Sequence, residues 1–350
     1  MKKTGIVKDE RYLRHETGRF HPESPQRLEA IYDMLESPGM RDKFVRIAAR
    51  DAAPEELRLI HSQTYIDRVA QTAGKSRTSL DPDTETSPES YDVAKWAAGG
   101  LLNAVDSVIG GTVDNAFALV RPPGHHAELN RAAGFCIFNN VAIGALHAIK
   151  THNLKRVLIV DWDLHHGNGT QRSFYEDSRV LYFSTHQFPF YPGTGNVTET
   201  GRQKGCGYTV NVPLRRGPGD AEYLKIFRNI LEPVALTYRP DLVMLSAGFD
   251  IHHKDPLGGM RVTPDGFANL TRVLLNIAET CAGGRFVATL EGGYNLKGLE
   301  ESVKAMLLEM KGETCKTKKH LDRIEDQADI SIDKIIMTVI RQVEPFWHIF

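Results

Sequence analysis

Residues 156–169 read Arg-Val-Leu-Ile-Val-Asp-Trp-Asp-Leu-His-His-Gly-Asn-Gly, and their reading sets both the fold and the chemistry. Val157 to Val160 are aliphatic without a polar interruption, the pattern of a strand covered on both faces, and Asp161, Asp163, His165 and His166 then arrive within six positions. Extended chain turns residues two apart to the same side, which predicts Asp161, Asp163 and His165 on one side and Trp162 and Leu164 on the other. A carboxylate and an imidazole at that spacing can reach a single divalent ion, and Gly167-Asn168-Gly169 lets the backbone turn away from it. An isolated Asp-x-His most often marks only a solvated strand-to-helix turn. The reading therefore depends on what the rest of the chain brings.

Strand-like runs at 116–120, 156–160, 179–183, 241–245 and 285–290 alternate with helical stretches at 139–150, 220–238 and 264–281. This alternation predicts an α/β fold, a mainly parallel central sheet with helices on both faces, which the run Tyr208 to Val212 would extend, and Ile6-Val7 opens a short strand. In open parallel sheets the ligand site lies outside the carboxyl ends of the strands. Here those ends are followed by Arg121-Pro-Pro-Gly-His125-His126, by the Asp and His residues above, by Ser184-Thr185-His186, by Ser246-Ala-Gly-Phe-Asp250 and by Glu291-Gly-Gly-Tyr294. Polar residues begin wherever strands end, but tandem histidines, a third carboxylate and a glycine-flanked tyrosine on one edge require more than that.

Earlier in the chain, Ser24 as cap and Pro25 at the first position predict a helix carrying Leu28, Ile31 and Leu35. Further helices are predicted from Pro54, from Ser62, and from Ser87-Pro88 to about Ile109, with residues 74–90 a polar surface loop. A charged stretch, 311–329, precedes a last amphipathic helix within 330–350 that contains Ile335, Ile336, Val339 and Ile340. No repeat or second domain is visible, so residues 1–350 read as one domain with its core at about 20–309.

The 350 residues carry 43 basic and 44 acidic side chains, a net charge of -1, which gives no broad attraction to nucleic acid or to acidic membranes. Cys136, Cys206, Cys281 and Cys315 are scattered, without a Cys-x-x-Cys pair. That argues against a disulfide framework and a structural zinc knuckle. No segment approaches the ~18 apolar residues of a membrane span. A cytoplasmic protein is the expectation; its oligomeric state stays open.

Asp163, His165 and Asp250 offer three oxygen and nitrogen ligands to one metal and leave a position for water, the pattern of a catalytic site. Two carboxylates offset most of a divalent charge, so a further donor to a developing oxyanion helps, and Tyr294 is the candidate. Adjacent side chains diverge, so His125 and His126 each need a partner; Asp161 and Asn168 are available. A carboxylate raises an imidazole's pKa and an amide does not. His126 with Asn168 is therefore expected to titrate nearer neutrality as general base, with His125 held cationic or strongly polarised by Asp161. His252-His253 reads as a rim or surface pair, and Gly193-Thr-Gly195 lacks the strand, third glycine and helix of a dinucleotide loop.

Taken in order, His21-Pro22-Glu23, Arg121 to His126, Gly134-Phe135-Cys136, Asp161 to Gly169, Gly248-Phe249-Asp250, Asp255-Pro-Leu-Gly-Gly259 and Glu291 to Asn295 resemble the histone deacetylase superfamily, on its class II and acetylpolyamine amidohydrolase side. The resemblance implies an arginase-like fold and a zinc-dependent hydrolase that cleaves acyl groups from an amine nitrogen. By the same resemblance Asp163, His165 and Asp250 hold zinc, His125 and His126 form the dyad, Tyr294 donates to the oxyanion, and Gly134, Phe135 and Tyr191 line an acyl-lysine channel. It further implies structural potassium, an inner ion at Asp161, Asp163, His165, Ser184 and Thr185 and an outer one at Phe174, Asp177, Val180 and Tyr208. Asn168 stands where the class I branch carries a carboxylate. Leu257 stands where polyamine-selective relatives place an acidic gatekeeper, which favours acyl-lysine protein or peptide over a small acylated amine. Asp83 and Glu85 remain available to a cationic substrate at the rim. Two alternatives stay beside this one: a two-manganese hydrolase of the arginase type, and a silent module that binds acyl-lysine without cleaving it.

Overall fold

The computed structural model describes residues 1–314 and 316–349, so Cys315 and Phe350 lie outside the described residues. The described residues form ten strands: β1 Thr4–Val7, β2 Val45–Ile47, β3 Thr78–Asp81, β4 Thr84–Thr86, β5 Asn115–Ala118, β6 Val157–Asp161, β7 Val180–Gln187, β8 Thr209–Leu214, β9 Leu242–Ala247 and β10 Phe286–Leu290. Eight of them form one sheet in the order β2-β1-β5-β10-β9-β6-β7-β8, and every pairing in it is parallel. Parallel strands need crossovers, and the helices that supply them bury the sheet: every residue of β5, β6, β9 and β10 is buried. This is the arginase-like α/β fold expected.

The helices pack in two groups. Ser90–Ile109 lies against Asn140–Thr151, while Pro264–Cys281 lies against Leu296–Lys311 and the helix at 220–238. Ser62 caps the helix Gln63–Ala70 by accepting the Tyr65 N–H, as its position predicts, and Asn139, Thr263 and Asn295 cap three others in the same way. The first helix starts at Gln26 with Pro25 as its cap and no side-chain cap bond, one residue later than Ser24 implies. The helix at 220–238 carries a π turn over Phe227–Leu231, just ahead of Pro233. Proline has no N–H for the regular i→i−4 bond, and a wider turn accommodates the gap.

Other differences have short-range causes. The polar stretch 74–90 contains the antiparallel hairpin β3–β4, with Leu80, Thr84 and Thr86 buried. Strands of three or four residues rich in Thr, Ser and Asp leave little apolar signal. A helix at Lys318–Glu325 sits inside the charged stretch and buries only Leu321. β7 runs on to Gln187, so Ser184, Thr185 and His186 belong to the strand and do not follow it. His252 is buried, not at the surface: its ring packs where a Cβ on Gly298 would be, and only His253 is exposed.

Trp162 and Leu164 point into the core, away from the polar residues between them. Trp162 meets Phe249 and Phe267 at ring separations of 6.4 and 5.8 Å, and Phe249 and Phe267 lie 4.9 Å apart. These rings seat the loops after β6 and β9 on the Pro264–Cys281 helix. Phe267→Ala empties the middle of that cluster, and we expect it to cost about 3–5 kcal/mol in denaturant unfolding.

Candidate active site

Four neighbouring strands, β5, β10, β9 and β6, deliver their following residues to one place. From β6 come Asp163 and His165, and from β9 comes Asp250; one donor atom from each lies within 4.8 Å of the other two. His165 Nδ1 is 3.1 Å from both Asp163 Oδ1 and Asp250 Oδ2. The remaining carboxylate oxygens accept backbone N–H groups: Gly292 donates to Asp163 Oδ2 at 2.9 Å and Leu164 to Asp250 Oδ1 at 2.8 Å. A Cβ on Gly292 would lie 2.5 Å from Asp250 Oδ2 and 2.6 Å from Asp163 Oδ2, so glycine is required for the backbone to approach that closely. Burial, and next the Asp163 charge, push the Asp250 carboxyl up to about 7. Two carboxylates and one imidazole, oriented by backbone donors and hardly exposed, are the donor set of a divalent-cation site.

The histidine pair follows β5. His125 Nδ1 bonds Asp161 Oδ2 at 3.0 Å, and Asp161 also accepts the Tyr182 hydroxyl and the Asp163 N–H. Burial opposes a charge on His125, but Asp161 and Asp163 outweigh it and raise the imidazole to about 10. His126 Nδ1 lies 2.8 Å from Asn168 Oδ1, and Asn168 donates its amide N–H to Glu128 Oε1 at 2.7 Å. Glu128 thus fixes which way the amide faces, so Nδ1 of His126 carries the proton and Nε2 offers a lone pair. Its pKa falls well below the ordinary value, through burial first and then the charges of His125 and His165. An amide partner does not offset burial and the charge of His125, so this ring is the neutral one of the pair.

Tyr294 follows β10. Its N–H donates to Asp255 Oδ2 at 2.7 Å, the Arg27 guanidinium sits 5.2 Å from its ring centre, and Phe135 meets that ring edge-on at 6.1 Å. Burial and the charges of Asp250 and Asp163 hold its hydroxyl well above the usual range, so it stays a neutral O–H donor. Behind it, Arg27 donates to the carbonyls of Gly293 and Glu291, and Glu23 pairs with both Arg27 and Arg121, all three fully buried.

Gly134 and Tyr191 lie against the His126 ring, and Phe135 lies against Tyr294. Phe135 has a left-handed φ of 69°, a conformation held from the hairpin: its N–H donates to Thr84 Oγ1 at 3.1 Å and that of Gly134 to Asp83 Oδ1 at 2.9 Å. Asp83 is therefore engaged with the channel wall, and Glu85 pairs with Arg77. Tyr191 packs edge-on against His126 at 5.1 Å, Phe190 stacks on His165 at 5.7 Å, and Leu257 is 36% exposed, its N–H donated to Asp255.

Of the other expected residues, Asp161 and Ser184 face each other across β6 and β7, and the Thr185 hydroxyl is buried without a partner among the described residues. Asp177 follows Phe174, whose carbonyl accepts its N–H at 3.0 Å, and its carboxylate pairs with Arg179. Tyr208 bonds the Tyr182 N–H through its carbonyl at 2.9 Å, next to Val180 at the start of β7. Two residues had no assigned role in the sequence. Glu291 accepts the N–H groups of Gly124 and His125 and the Ser246 hydroxyl, holding the histidine loop on β10. Asp255 holds Leu257 N–H with one oxygen and Tyr294 N–H with the other. The N–H groups of Gly124, His125 and Tyr294 that they hold lie far away in sequence, so no local spacing announces those contacts.

The profile of the histone deacetylase domain matches residues 21–310. A probable deacetylase of Archaeoglobus fulgidus is 42% identical over 297 residues, 84% of this chain and 82% of that protein. Human polyamine deacetylase HDAC10 is 44% identical over 80% of this chain and 43% of its own length, and Candida albicans histone deacetylase HDA1 is 39% identical over 89% and 41%. The chain thus spans less than half of either of those two. Among solved structures, the crystal structure of an HDA15 HD domain gives a TM-score of 0.91 at 38% identity, covering 99% of this chain and 96% of that one. Since the matched stretch runs from His21 at the channel wall to beyond Tyr294, the whole site lies within it, and the chain belongs to the histone deacetylase family.

Proposed function

We propose that the protein is a zinc-dependent hydrolase that removes acetyl or other acyl groups from lysine side chains of proteins or peptides. The observation that carries this reading is the convergence of Asp163, His165 and Asp250 beside a neutral His126 and a hydroxyl donor, at the end of an aromatic-walled approach. Its relatives include deacetylases named for histones and for polyamines.

Zinc fits the two carboxylates and one imidazole, and when bound it supplies a Lewis acid for the amide carbonyl and a lowered pKa for water. Hydrolysis needs a proton taken from the attacking water and one given to the departing amine nitrogen. His126, with its Nε2 lone pair free, takes the first and returns it to the amine as the C–N bond breaks. Tyr294 donates its O–H to the oxygen as it gains charge, a contact that matters most in the transition state. His125 remains cationic beside Asp161 and adds positive potential. Phe135 and Tyr191 would flank the aliphatic stem of an acyl-lysine. Potassium at Asp161, Asp163, His165, Ser184 and Thr185, and at Phe174, Asp177, Val180 and Tyr208, rests on the resemblance alone.

Leu257 favours acyl-lysine over a polyamine. An apolar rim gives the distal ammonium of a polyamine no partner, and Asp83 is already engaged with Gly134. The likeness to a polyamine deacetylase keeps acetylpolyamine cleavage as the second reading.

Tyr294→Phe is expected to lower kcat on an acetyl-lysine peptide about 10²–10³-fold with little change in KM, and a chelator to abolish turnover. If wild type and variant are equally inert across an acyl-length panel, the chain is a binding module. His126 must be unprotonated to act, so activity is lost as pH falls through its pKa. Asn168→Asp places a carboxylate on that ring, raises the pKa, and should move the acid limb of kcat/KM to higher pH; an unmoved limb assigns the base elsewhere. Finally, kcat/KM should favour acetyl-lysine peptide over acetylspermidine, and Leu257→Glu should narrow the ratio. The reverse preference in the wild type would establish the polyamine reading.

A further inference from the structure

Away from the catalytic edge, the ends of the helices Ser90–Ile109 and Asn140–Thr151 bring Asp106, His147 and His152 together. We propose that these three side chains form a second metal site, for a divalent first-row transition ion such as zinc. Both imidazoles aim the same nitrogen at the same oxygen: His147 Nε2 is 2.6 Å and His152 Nε2 is 2.7 Å from Asp106 Oδ1. The rings stand at 78° with centres 5.5 Å apart, so they converge on that oxygen from two directions and do not stack.

The far side of His147 is arranged as it is around a metal-binding imidazole. Its Nδ1 faces the Thr151 hydroxyl at 3.2 Å, with a Glu56 oxygen 3.9 Å away. Glu56 is itself held by Arg50 through two contacts of 2.7 Å and by the Ala53 N–H. Such partners fix the proton on Nδ1 and leave the Nε2 lone pair for a cation. Asp106 lies in the last turn of its helix, His147 near the end of its own, and His152 caps it. Both helices thus turn their partially negative ends toward the position a cation would take.

The site is reachable and nearly formed. His147 is buried, whereas Asp106 and His152 are only partly covered, which leaves room for an ion and a completing water. Ligands about 2.0–2.1 Å from a tetrahedral ion sit about 3.3 Å from each other, so the two outer side chains need to open by less than about 1 Å. The position is separate from the catalytic one. Asn140, where the second helix begins, contacts the Pro122 carbonyl beside the histidine loop, and His147 and His152 lie about 10 and 18 Å of helix rise beyond it.

Equilibrium dialysis of the purified enzyme against zinc, with bound metal counted, tests the assignment. Wild type should hold two zinc ions per chain. His152→Ala and Asp106→Asn should each hold one and keep the wild-type amide-hydrolysing rate, while Asp250→Asn should also hold one but lose that rate. Copper(II), which displaces zinc from a site with two imidazoles, gives on zinc-loaded wild type a readout that needs no variant: coupling to two imidazole nitrogens in the electron paramagnetic resonance spectrum. One zinc per chain in the wild type, two retained in His152→Ala, or copper coupled to fewer than two nitrogens would overturn the proposal.

Discussion

Asp163 and Asp250 face one another across a site where water screens neither charge, and the surroundings exist to make that arrangement tolerable. An uncompensated pair of buried carboxylates is costly. Here each receives a backbone N–H on the oxygen turned away from the shared imidazole, and glycine at 248 and 292 lets the main chain come within reach. The strand order follows from the same need. Only neighbouring strands can hold two acids, three imidazoles and a tyrosine this close, and β5, β10, β9 and β6 are neighbours although the chain visits them far apart.

The two adjacent histidines show how far environment outweighs residue type. They share a loop, similar burial and nearly touching rings, 4.0 Å between centres. One has a carboxylate partner and rises to about 10; the other has an amide and sits beside the cation that its neighbour has become. The charge on His125 helps keep His126 neutral. The sequence carried the direction of this split in the identities of Asp161 and Asn168, but its size depends on the distance to His125 and His165.

What was legible in the chain was whatever repeats or follows a rule. Unbroken aliphatic runs marked the central strands, and chemistry placed directly after each run marked the catalytic edge. The edge strand β2, half exposed, and the hairpin β3–β4, built from Thr, Ser and Asp, offered no such run. Glu291 and Asp255 reach across the fold by accepting main-chain N–H groups of Gly124, His125 and Tyr294, and any sequence could supply those donors. The buried place of His252 likewise depends on Gly298 giving it room, a fact of packing.

Asp255 joins two properties that are usually treated apart. One of its oxygens fixes the backbone of Leu257, and the other fixes the backbone of Tyr294. A substitution or insertion around Leu257 therefore pulls on Tyr294, the proposed donor to the reacting oxygen. Divergence of that loop proceeds under a mechanical tether: it cannot be remodelled freely, because its displacement reaches Tyr294 through a single carboxylate.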